Sequence, residues 1–75
     1  MAARRYYAVR AYGFPGHPFP SRFYDAEPTL AHARRTASNL VRDGWRCADI
    51  LRELPRPPGH EIGAHWEPVE TLGVA

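Results

Sequence analysis

From Arg5 to Tyr12 the sequence reads RYYAVRAY, and its apolar positions alternate. In an extended chain Tyr7, Val9 and Ala11 fall on one side and Tyr6, Ala8, Arg10 and Tyr12 on the other. The aromatics, the β-branched valine and the breaker Gly13 predict a strand that ends at Tyr12. The first set is small and apolar, which suits the underside of a helix. The second is aromatic and basic, which suits a wet or shared face. A second short strand is predicted at Ser21-Arg22-Phe23-Tyr24-Asp25. The stretch between them, GFPGHPFP, is then a hairpin loop, longer than the usual two to five residues. Its prolines fix φ and withhold N–H donors, so the loop is stiff and does not join the ladder. Its two phenylalanines either cover the edge of a small core or face a partner. The scarcity of apolar area in so short a chain favours covering.

The period changes from 2 to 3.6 after Asp25. Leu30, Ala33, Ala37, Leu40 and Val41 share one helical face. Asp25 can cap the helix, and Pro28 is tolerated in a first turn. Gly44 supplies the left-handed residue that ends it, with Trp45 placed to pack back on Leu40. The expected helix spans about Glu27 to Asp43. Its outer face, with His32, Arg34, Arg35, Ser38, Asn39 and Arg42, reads as a solvated basic stripe.

The next stretch, WRCADILREL, fits both periods. Cys47, Ile50, Leu51 and Leu54 have helical spacing, but a two-stranded hairpin is marginal in water and needs a third strand. A strand is therefore expected from Trp45. Pro55 to Gly59 breaks the chain, and 60–64 reads as loop. His65-Trp66-Glu67 and Val69 to Leu72 form a short, proline-interrupted edge strand. Residues 73–75 are expected to fray. The sum is an α+β fold: a small, mainly antiparallel ββαβ(β) sheet with one helix packed across one face, in a single small domain covering 1–75.

Size adds a constraint. A domain of 75 residues buries only about 60% of the surface its unfolded chain exposes. A lone Cys47 cannot staple it internally, and a single thiol fits a reducing cytoplasm. Self-association is the remaining source of support. The 44% hydrophobic and 24% charged content is that of an ordinary globular domain, and no apolar run approaches the roughly 18 residues of a membrane span. The opening MAARRYYAV lacks the apolar core of a secretory signal. A cytoplasmic protein without a membrane partner is expected. All ten basic residues are arginine, which first reads as GC-rich codon usage of an actinobacterial or phage-like genome. Arg4, Arg5, Arg10 and Arg22 form a basic N-terminal end, and Glu61, Glu67 and Glu70 an acidic C-terminal end. The two can pair, within one chain or between two, or the basic end can meet phosphate.

Candidate chemistry changes the picture little. His17, His32, His60 and His65 lie on separate elements without zinc spacing. Cys47 would need a neighbouring base to act as a nucleophile, which a sequence does not reveal, and it reads as an inert buried thiol. GFPG and PPGHEIG lack the phosphate-loop lysine. The expectation is a non-enzyme without cofactor or metal. The peptide RELPRPP, Arg52 to Pro58, resembles a polyproline ligand of SH3 domains, and reads as loop in a chain this rich in proline and arginine.

Two functional readings follow. The first is a small protein-binding module, an accessory factor or an inhibitor acting by occlusion, whose partner is another protein or a second copy in a homodimer. A helix covers only one sheet face, so Tyr6, Arg10, Tyr12, Arg22 and Tyr24 are expected together on the other as an interface. The second is nucleic-acid binding. Either the same tyrosines stack bases while the arginines hold phosphates, or WRCADILREL is helical and forms a helix-turn-helix around Gly44.

Overall fold

The computed structural model describes residues 6–54 and 65–73. Strands β1 (Tyr7–Tyr12) and β2 (Ser21–Glu27) precede helix α1 (Leu30–Asp43), and strands β3 (Cys47–Leu54) and β4 (His65–Gly73) follow it. The four strands form one sheet in the order β2-β1-β3-β4, and every neighbouring pair is antiparallel. The expected α+β sheet with one helix is the fold observed. β1 lies at its centre, flanked by β2 and β3, which the helix connects across it.

The core follows the two periods. Val9 and Ala11 from β1 and Ala48 and Ile50 from β3 meet Ala33, Ala37 and Leu40 from the helix, and Trp45 closes one end. Alanine at four of these positions lets the helix approach the sheet closely, but leaves little apolar volume. Ile50 and Val9, paired across the strands, are the largest side chains of this cluster that are fully buried. Two polar contacts tie the helix to both sheet edges. Thr36 Oγ1 donates to Glu27 Oε1 of β2 at 2.9 Å, and Arg34 Nε donates to Glu70 Oε1 of β4 at 3.0 Å.

The helix ends as its sequence requires but starts later than expected. Gly44 N–H donates to the Val41 carbonyl and Trp45 N–H to the Leu40 carbonyl, at 3.2 and 3.1 Å. This double closure, with Trp45 and Leu40 in one cluster, is the Schellman arrangement. At the other end Asp25 is not the cap, and Glu27 and Pro28 lie outside the helix. β2 runs on to Glu27, and Thr29 Oγ1 accepts the His32 N–H at 3.1 Å. The physical reason is the ladder. Tyr7 pairs with Glu27 across the strands, which holds that residue in the sheet.

Gly44 has φ of +125°, and a Cβ there would lie 2.9 Å from the Phe14 ring. Gly44→Ala should therefore cost about 1–3 kcal/mol, read by urea unfolding. An unchanged midpoint would show that the turn tolerates a side chain.

Residues 47–54 are strand, so the second helix of a helix-turn-helix does not exist. β4 is the expected edge strand, and Pro68 is accommodated at an irregularity where Leu51 pairs with Pro68 while Ile50 pairs with Glu70. Gly73 is not frayed but pairs with Cys47. The expected loop over 55–64, most of RELPRPP and the last two residues lie outside the described residues, as do Arg4 and Arg5. Of the acidic C-terminal residues, Glu61 also lies outside the described residues, and Glu67 and Glu70 pair within the chain with arginines other than Arg10 and Arg22. Glu67 meets Arg52 and Glu70 meets Arg34, because these are their neighbours in the sheet and under the helix.

Candidate functional site

The sheet face away from the helix is organised in rows that the register fixes. Ser21, Tyr12, Cys47 and Gly73 form one row, and Phe23, Arg10, Asp49 and Thr71 the next. Then come Ala8, Leu51 and Pro68, and beyond them Glu53 and Trp66, with Glu53 N–H donating to the Tyr6 carbonyl at 2.9 Å. Ala8 and Leu51 are buried although the helix lies on the opposite side. Phe23 on one edge strand and Trp66 on the other meet edge-to-face, with ring centroids 5.9 Å apart and planes at 72°. They stand on opposite edges and two rows apart, and the right-handed twist of a sheet brings positions along one diagonal together. The small Ala8 leaves room beneath. The result is an aromatic bridge over the two central strands, with Phe23 still 47% exposed.

Beside the bridge lies a polar cluster. Tyr12 Oη donates to Asp49 Oδ2 at 2.5 Å, and Thr71 Oγ1 donates to Asp49 Oδ1 at 2.6 Å. Both carboxylate oxygens are thereby engaged. Arg10, the cross-strand neighbour of Asp49, is exposed, and among the described residues no acidic group pairs with it. Losing its proton would break the Tyr12 bond to Asp49 and set two negative charges side by side. That bond, followed by burial and by the adjacent Cys47 thiol, holds the phenol well above its ordinary range. A raised value means that the unfolded chain releases this proton first as pH rises. The stabilising effect is complete below the ordinary phenol value near 10 and is lost above it. Stability should fall with alkaline pH, and Tyr12→Phe should flatten that fall. Equal slopes in urea titrations of the two proteins at pH 9 to 11 would contradict the assignment.

Of the five residues expected to share this face, Arg10 and Tyr12 do so, while Tyr6 lies just before β1 with its carbonyl bonded to the Glu53 N–H. Arg22 and Tyr24 do not. Arg22 pairs with Ala11 and Tyr24 with Val9, which puts both on the helix side. There the Arg22 guanidinium lies 5.1 Å from the centre of the Tyr24 ring. The phase of β2 depends on how an eight-residue, proline-rich loop closes, and alternation alone cannot give it. The same slip hid Phe23, which takes the place assigned to Tyr24. Trp66, Asp49 and Thr71 were missed because strand order decides who their neighbours are. The aromatic content of β2 and β4 was the available signal.

The loop covers the end of the core, as expected, through Phe14. Phe14-Pro15-Gly16-His17 is a type II turn, with φ of +81° at Gly16 and His17 N–H donating to the Phe14 carbonyl at 3.1 Å. Phe14 packs on the core and meets Trp45 edge-to-face at 5.3 Å. His17 lies 4.7 Å from Trp45. Phe19, by contrast, is 65% exposed.

Among the described residues no three His, Cys, Asp or Glu side chains converge as metal ligands would, and no helix is long and apolar enough to cross a membrane. The chain matches no family model, no curated protein and no solved structure. What fold and site define is a class by geometry: an antiparallel four-stranded α+β domain with one face under a helix and the other closed by an aromatic bridge.

Proposed function

We propose that this chain is a small non-enzymatic protein-binding module, an accessory factor or an inhibitor acting by occlusion, that docks through its helix-free sheet face. The observation that carries this reading is the partly exposed Phe23–Trp66 bridge beside the exposed Arg10. Aromatics and arginine are the residue types that concentrate binding energy. Docking by strand addition is disfavoured at both edges. β4 carries Pro68 and an irregular register, and β2 is irregular opposite β1 and is followed by Pro28. The charge balance of the face weighs against nucleic acid. Arg10 is accompanied by Asp49 and Glu53, whereas Arg35 and Arg42 lie on the helix. A phosphate backbone approaching the aromatics would meet carboxylates. Buried Cys47, a free thiol, is in keeping with a reducing compartment such as the cytoplasm.

The test has two arms. Sedimentation of the purified chain over a wide concentration range should show self-association that Phe23→Ala and Arg10→Glu weaken, or else affinity capture should recover a partner that both variants lose. Labelled DNA and RNA should show no binding that survives physiological salt. Nucleic-acid binding that persists there, or a partner indifferent to both variants, would overturn the reading.

A further inference from the structure

We infer that Phe19 is a preformed anchor that enters an apolar pocket on the protein partner, with that pocket rimmed by carboxylates. This inference rests on the protein-binding reading above and adds a second contact point to it. A phenylalanine 65% exposed at a loop tip costs a small domain apolar area it could otherwise bury. Yet the loop around it is built to hold it still. Pro18 and Pro20 fix φ on both sides. The Phe19 N–H donates to His17 Nδ1 at 3.1 Å, and the His17 ring lies 6.1 Å from the Phe19 ring. His17 is in turn held against Trp45 at 4.7 Å and Phe14 at 5.5 Å, and both of these belong to the core or pack on it. The line from core to tip is unbroken: Trp45, His17, Phe19. An aromatic ring fixed before binding loses little conformational entropy when it enters a pocket. A loop meant only to cover the core would need Phe14 and His17 and could end in a polar tip.

Position and charge say what the partner must offer. The loop leaves the sheet after Tyr12 and returns at Ser21, at the end of the sheet where the helix stops and Trp45 follows it. Gly13 is pressed against the Arg46 side chain, and the Gly44 turn against Phe14. The exposed charges at these anchoring points are Arg22, Arg42 and Arg46 against Asp43. This excess of positive charge around an apolar knob fits a pocket with an acidic rim.

The purified chain gives the first test, with β-cyclodextrin as a synthetic apolar cavity. Titration followed by NMR should shift the Phe19 resonances before those of Phe23. His17→Ala should weaken that binding about threefold by loosening the tip, and Phe19→Ala should remove it. Phe19 resonances that stay still, or an effect unchanged in His17→Ala, would overturn the proposal of a held and presented ring. The second test places the photo-crosslinker p-benzoylphenylalanine at position 19, 23 or 38 of the full chain in its producing cell. An adduct of one mass from 19 and 23 but not from 38, reduced at 19 alone by His17→Ala, supports the anchor. An adduct from 23 without one from 19 overturns the anchor and leaves the sheet-face reading standing. Adducts from neither position overturn both, and a mass of two chains at 19 overturns the separate partner in favour of a second copy.

Discussion

Ile50→Ala should lower the unfolding free energy by about 3 kcal/mol. Ile50 is fully buried at the centre of the sheet, across from Val9 and under the alanines of the helix. Truncating it removes apolar contact and leaves a void. The neighbours cannot fill that void, because Ala48, Ala33 and Ala37 have no side-chain length to move. A chain of this size has roughly 4–11 kcal/mol of stability in all. The loss should lower the melting temperature by roughly 15–20 °C. Val69→Ala, at an exposed edge position, should stay within about 0.5 kcal/mol and serves as the control. A comparable loss in both proteins would mean that the core does not lie between β3 and the helix.

The second large effect concerns the aromatic bridge. Trp66→Ala should cost about 2 kcal/mol, less than full burial would imply because the ring is only partly covered. Its removal takes away the ring that Phe23 meets edge-to-face. Phe23→Ala should act through the same contact. The double variant should then cost less than the sum of the two singles, by about 0.5–1.5 kcal/mol. Strict additivity in urea unfolding would show that the rings cover the sheet independently. Binding to the partner should be lost in Phe23→Ala, whose fold is the less disturbed of the two, and this separates recognition from stability.

How much of this was legible depends on the range over which each feature is encoded. The helix core positions, the Gly44 stop with Trp45 behind it, and the helix-facing set Tyr7, Val9 and Ala11 follow from local spacing, and all occur as expected. The strand at 47–54 was legible only by asking what a two-stranded hairpin lacks. The helix start failed because Glu27 is held by a partner twenty residues away, which no cap preference can reveal. The site was half legible. Arg10 and Tyr12 share a strand, so their common face follows from alternation. Phe23, Trp66, Asp49 and Thr71 come from three other strands. Their arrival beside Arg10 depends on register, and one residue of slip in β2 exchanges Phe23 for Tyr24.

The central place of β1 has a consequence for how the chain is made. Tyr7 leaves the ribosome 40 residues ahead of its neighbour strand, which begins at Cys47. At about 5–20 residues per second, β1 waits roughly 2–8 s with only β2 beside it. Until Asp43 has emerged Val9 and Ala11 lack the complete helix above them, Ile50 is absent throughout, and the side of β1 destined for β3 is open. Among the described elements, the nascent chain is thus most exposed to wrong pairing at the strand that later becomes the best protected. A trigger-factor-type holdase would be needed most before Cys47 emerges, and very little after Leu54.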